Sequence, residues 1–228
     1  MPTAAAGAKV GLAAGNIGTM SANDIPQWPP RDKLKAPDVE QAQKFVPRTL
    51  AEAKAVAERL NPVVEKYFVR KSKWSRKVVT TPDGNNCKLP NCDIGILLKD
   101  CPDEAILHEL VHSHSISYYP NKMYIANSAI EEASVQYLTQ EIAKREGVIL
   151  SDSDYNYWVD VLQEINRKFG LYETDLKFAQ RLLRVPMANR LGWLSKKILK
   201  TMSNGTFEQL SEMTALLNKI TWEAFYND

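Results

Sequence analysis

Leu107-His108-Glu109-Leu110-Val111-His112 reads H-E-x-x-H and contains two of the three histidines in the chain. On a helix, His108 and His112 stand one turn apart and project from the same face. Two imidazoles so placed can share one zinc ion, and Glu109, next along the helix, is placed to act on an activated water. The plainer alternative is a pair of histidines satisfied inside a core. The flanks predict a helix. Asp100 or Cys101 can cap it, Pro102 suits the first helical position, and Asp103 and Glu104 favour the positive helix N-terminus. Ile106, Leu107, Leu110 and Val111 offer apolar faces that can bury it.

Immediately upstream, Ile94-Gly95-Ile96-Leu97-Leu98 is short, apolar and bounded by turn residues, and reads as a buried strand. A strand running into such a helix can line a cleft and pair its backbone with an extended substrate. Pro82-Asp83-Gly84-Asn85-Asn86 reads as a turn before it. Between Val69 and Thr80, Arg70, Lys71, Lys73, Arg76 and Lys77 surround Trp74. Such a stretch can touch an acidic partner or nucleic acid. The simpler reading is a solvated helix end passing into an edge strand whose cations discourage edge-to-edge pairing. Further upstream, Thr49 and Glu52 form a capping box, and Leu50, Ala53, Val56, Ala57 and Leu60 share one side of the helix that follows. Asn61-Pro62 predicts a kink and restart. Residues 1–47 are rich in Ala, Gly and Pro without periodicity, and read as a flexible or extended lead-in with Trp28 as a potential anchor.

Downstream, Tyr118-Tyr119-Pro120-Asn121-Lys122 reads as a loop, and a helix opens at Ser128, where Ser128 and Glu131 predict a capping box; Gly147 ends it. Further helices are predicted from about Asp154 to Phe169 and from about Thr174 to Leu199 with a break at Pro186. A last one runs from a Thr206–Gln209 capping box to about Phe225. Tyr157, Val161, Leu162 and Ile165, then Leu210, Met213, Leu217 and Ile220, recur at helical spacing and read as bundle core.

The 228 residues carry 44% hydrophobic and 25% charged residues and a net charge of +2, the profile of an ordinary soluble domain. That charge is too small to argue for a nucleic-acid or membrane partner. No apolar run is long enough to span a bilayer. The N-terminal Met1–Met20 lacks the basic lead and continuous apolar region of a signal peptide, Lys9 interrupting it. Cytoplasmic residence, or delivery outside the cell without such a peptide, is therefore expected. Cys87, Cys92 and Cys101 form no zinc-ribbon spacing, and their odd number points to thiols or at most one bridge.

Two histidines hold zinc poorly; a catalytic site uses three protein ligands and one open position. His114 lies about 200° around a helix from His112 and is expected in a supporting or surface place. A carboxylate is needed, and Glu131 and Glu132 both offer one. Periodicity aligns Glu131 with the apolar Val135, Leu138 and Ile142, which favours it as the inward residue, whereas a cap at Ser128 would occupy its carboxylate.

H-E-x-x-H followed by Glu131-Glu132-Ala133-Ser134-Val135-Gln136-Tyr137-Leu138 resembles the gluzincin zinc metallopeptidases, the thermolysin and aminopeptidase group. Across residues 92–142, the resemblance aligns Glu132, 20 positions after His112, with the family's ligand glutamate. Glu131 and Ala133 replace the usual Asn and Gly. The resemblance implies zinc held by His108, His112 and Glu132, with Glu109 as general base on the activated water and a protein or peptide as substrate. It also implies a tyrosine donor for the oxyanion: Tyr124 is the first choice, with Tyr118, Tyr119 and Tyr155 open.

The expectation is an α+β, mostly helical, zincin-like metallopeptidase domain, monomeric, over residues 48–228. A small antiparallel sheet lies next to the H-E-x-x-H helix in 48–126, and a helical bundle carries the third ligand in 127–228. Two readings compete with a resident peptidase. One is a secreted or injected effector or toxin-type metalloprotease; the other is a non-catalytic protein that uses the scaffold for binding, which has no use for Glu109.

Overall fold

A computed structural model describes residues 46–81, 86–89, 91–116, 124, 127–151, 153, 155–202 and 205–221. The expectations for residues 1–45, including Trp28, for the turn at 82–85, for the loop at 118–122 with Tyr118 and Tyr119, and for the chain beyond Thr221 lie outside them. The described fold is mostly helical with one small sheet. Its elements are α1 (Leu50–Glu65), β1 (Val78–Thr80), β2 (Cys87–Lys88), β3 (Ile94–Ile96), α2 (Asp103–His114), α3 (Ser128–Glu146), α4 (Asn156–Phe169), α5 (Asp175–Leu183), α6 (Met187–Thr201) and α7 (Phe207–Thr221).

The expected sheet was antiparallel; the sheet is mixed. Strand order is β1-β3-β2, with Val78 opposite Ile94 in a parallel pair and Cys87 opposite Gly95 in an antiparallel one. The strand leading into α2 is thus the central one. Its backbone is paired on both sides, so β3 cannot accept an extended substrate as the sequence suggested. β1 is an edge strand, as the basic stretch before it predicts. Trp74 is core: its Nε1 donates to the Lys77 carbonyl at 2.9 Å while Arg76 lies over the ring. Gly95 is required where β3 runs between its two neighbours, because a Cβ there would run into the Thr81 side chain and stand 3.1 Å from Cys87 Sγ.

α1 carries the Thr49–Glu52 capping box in full and runs unbroken through Pro62, without the expected restart. Pro62 faces solvent, as does Glu58, whose carbonyl loses its helical donor, so water can satisfy what the ring removes. Val46 and Arg48 already pair with the segment entering α2: Cys101 N donates to the Val46 carbonyl and Arg48 N to that of Leu98. Structure therefore reaches Val46, upstream of the expected boundary at 48.

α3 is the axis of the domain. α2, α4, α5, α6 and α7 all pack on it, and its residues from Ala129 to Ala143 are buried on every side except at Gln140. A helix surrounded on every side has no solvent face to produce a clean period. Gly147 and Gly170 close α3 and α4 in the left-handed conformation, at φ 71° and 56°. Pro186 separates α5 from α6, and Thr206 and Gln209 exchange the predicted capping bonds. Val161, Leu162 and Ile165 of α4 join Leu138, Ile142, Phe178, Leu194 and Ile220 in one core. No helix among the described residues is long and apolar enough to cross a membrane, and all three cysteines are thiols.

Candidate metal centre

α2 begins at Asp103. Pro102 occupies the cap position, no side chain caps it, and neither Asp100 nor Cys101 plays the expected part; Asp100 accepts instead from Val46 N. From there the 3.6-residue period places Glu104, His108 and His112 in successive turns of one face. α3 crosses that face and brings Glu132 to it. His108 Nε2 lies 3.0 Å and His112 Nε2 3.3 Å from Glu132 Oε2. One donor atom from each residue fits within a 4.8 Å group. Two donors on a tetrahedral zinc are about 3.3 Å apart, given bonds of about 2.05 Å. The two histidine–glutamate distances are close to that, and the three residues could hold a metal ion. His108, Glu109, His112 and Glu132 each keep 5–7% of their surface exposed, so the group is deep but open.

Both imidazoles are held from behind. His108 Nδ1 donates to Gln136 Oε1 at 2.8 Å, and Gln136 Nε2 donates to Glu104 Oε1 at 2.8 Å. Glu104 Oε2 accepts from the backbone N and, at 2.5 Å, the hydroxyl of Ser151. His112 Nδ1 lies 3.4 Å from Glu131 Oε1, and Glu131 Oε2 accepts from Arg190 at 2.7 Å. The expected Ser128–Glu131 capping box does not form: Asn127 is the cap residue, and the Glu131 carboxylate lies between His112 and Arg190. Both candidate carboxylates are buried, but they touch opposite nitrogens of His112, and Glu132 is the one at Nε2.

The electrostatics follow from this crowding. Burial pushes the Glu132 carboxyl up, but His112 and His108 outweigh it and hold it well below the usual range. Burial opposes charge on His112, while Glu132 and Glu131 push its pKa up to about 10. Glu109 goes the other way: burial raises it, and the histidines offset that only in part. Its Oε2 is buried and has no hydrogen-bond partner among the described residues. An orphaned carboxylate oxygen beside three converging donors suits a site that receives a water.

Tyr124 donates to Glu132 Oε1, from a position one turn before α3 where Asn127 N bonds its carbonyl. Burial and the Glu132 charge raise its phenol above the ordinary range. Tyr155, at the start of α4, stacks on His108 with ring centroids 5.5 Å apart, and Trp158 stacks behind it. His114 is neither a surface residue nor part of this group. It is buried, its Nδ1 bonds the Leu110 carbonyl at 2.9 Å, and its ring stacks on Phe68.

Sequence reasoning missed Glu104, Gln136 and Arg190. Two of them carried a signal: Glu104 precedes His108 by four residues and Gln136 follows Glu132 by four, the spacing of one helix face. Arg190 carried none. No protein-family model, curated protein or solved structure matches this chain.

Proposed function

We propose that the chain is a zinc-dependent peptidase with a gluzincin-like site on a zincin-like core, His108, His112 and Glu132 holding the metal. The observation that carries the reading is the convergence of these three donors beside Oε2 of Glu109, which has no partner among the described residues. Zinc, when bound, supplies Lewis acidity that polarises the scissile carbonyl and acidifies water. Glu109 Oε2 takes the proton as the water oxygen bonds to the carbonyl carbon. It then passes that proton to the amide nitrogen as the C–N bond breaks. Burial of Glu109 supports this role, since a base raised toward neutrality can both accept and return a proton. The hydroxyl of Tyr124 donates to the developing oxyanion once it leaves Glu132. Tyr155 forms a wall beside His108 and is the second donor to test.

The test is elemental analysis of wild type, Glu131→Ala and Glu132→Ala. About one zinc per chain in the wild type, lost in Glu132→Ala, supports the ligand set. Hydrolysis of a peptide library that disappears in Glu109→Gln supports the reaction. A wild type that takes up no zinc sinks the proposal.

A further inference from the structure

Arg190 has no exposed surface. A buried guanidinium is unfavourable unless its donors meet acceptors, and a buried carboxylate is unfavourable without a cation. Here the two charges answer each other: Nη1 donates to Glu131 Oε2 at 2.7 Å and to the Ile130 carbonyl at 3.3 Å, and Nη2 to the Val185 carbonyl at 3.3 Å, while Nε meets no acceptor among the described residues. Glu131 turns its second oxygen to His112 Nδ1 at 3.4 Å. Guanidinium, carboxylate and imidazole thus form one buried line, ending 3.3 Å from Glu132. His108 is held differently, by the neutral amide of Gln136.

Glu131 and Glu132 are adjacent carboxylates, both buried, and what separates them is Arg190. We propose that Arg190 is a positioning residue: it holds Glu131 on the Nδ1 side of His112, so that Nε2 faces Glu132 and Glu131 stays off the metal. An ionised acceptor at Nδ1 requires the hydrogen there, which leaves the Nε2 lone pair to the ion. Withholding one of two available carboxylates keeps the set at three donors and one position open, as catalysis needs. Arg190 lies 58 residues beyond Glu132 and reaches the site only because α6 packs on α3. The inference rests on the metal-site reading above.

The alternative is that Arg190 only pins α6 to α3, and zinc and cobalt titrations at one pH separate the two. The proteins are the full-length wild type, Glu131→Gln, Arg190→Lys, Arg190→Met and the double variant Glu131→Gln/Arg190→Met, each with its metal-free thermal stability measured alongside. Glu131→Gln and Arg190→Met are each expected to weaken zinc binding about ten- to a hundredfold. Arg190→Lys, which keeps the charge, recovers part of the loss. The double variant binds no more weakly than the weaker single one, because both break the same line. The visible absorption of bound cobalt changes in Arg190→Met as Glu131 is released to the ion. Wild-type affinity in folded Glu131→Gln, or losses that multiply in the double variant, overturns the proposal. Should Arg190→Met not fold, Glu131→Gln and Arg190→Lys decide by the same criterion. A wild type that binds neither metal fails the metal-site reading itself, and this inference with it; a binding wild type with unaffected variants fails this inference alone.

Discussion

Gln136 accepts the Nδ1 hydrogen of His108 at 2.8 Å, and its amide cannot be turned around. Its nitrogen must face Glu104, whose carboxylate accepts three hydrogen bonds, so its oxygen must face the imidazole. The His108 hydrogen is thereby set at Nδ1, and Nε2, 3.0 Å from Glu132 Oε2, is the atom turned toward a shared ion. Gln136→Leu leaves a buried N–H and a buried carboxylate oxygen unpaired. The expected loss is about 1–3 kcal/mol of stability in the metal-free protein and about tenfold or more in zinc affinity. Urea unfolding and zinc titration measure the two separately.

Zinc uptake at the proposed site is expected to be a proton exchange through His112. Burial opposes its charge, but Glu132 and Glu131 raise its pKa from the ordinary 6.5 to about 10 in the metal-free fold. A raised pKa stabilises the fold fully below the unfolded value and loses that contribution as pH climbs through the folded one. The metal-free protein should therefore weaken between about pH 6.5 and 10. Zinc needs the neutral ring, so binding near pH 8 should release about one proton. Calorimetry in buffers of different ionisation enthalpy reads this directly; a buffer-independent heat would contradict it.

Glu109 Oε2 meets no partner among the described residues, so removal of this carboxylate should spare metal binding. Glu109→Gln is expected to keep wild-type zinc content and to lose about two to four orders of magnitude in peptide hydrolysis. Loss of zinc together with activity would instead make Glu109 part of the metal's support.

Tyr137 is the control for α3 itself. Its hydroxyl donates to Asp175 at 2.6 Å, at the start of α5 and outside the group of His108, His112 and Glu132. Tyr137→Phe should cost about 1 kcal/mol in stability and leave zinc affinity unchanged. A parallel fall in affinity would show that α3 transmits strain to Glu132.

Cys101 is fully buried, and burial pushes its thiol up to about 11, while Cys87 and Cys92 are half-buried. The thiolate is the reacting form. A chromogenic disulfide reagent at neutral pH should titrate two thiols in the native protein and the third only after unfolding. Three reactive thiols in the native state would mean that the start of α2 opens readily.

Local chemistry was legible in the sequence. The α2 and α3 spacings, the capping boxes at Thr49 and Thr206, the glycine stops at 147 and 170 and the break at Pro186 each depend on residues within one or two turns. The pairing of strands was not, because β3 lies between β2, its antiparallel neighbour, and β1, with which it pairs in parallel across the intervening β2 in the chain. Nor were the separate places of Glu131 and Glu132. α3 is enclosed on every side, so burial marks both, and only the packing of α2 on one flank and α6 on another distinguishes them. His114 was misread for a related reason: helical angle told where it points, away from His112, but not that Phe68 covers it there. The sequence by itself determined which residues could bind an ion, since period and residue type are local. The tertiary structure alone decided which carboxylate meets Nε2 and which meets Arg190, since those contacts join residues that are distant in the chain.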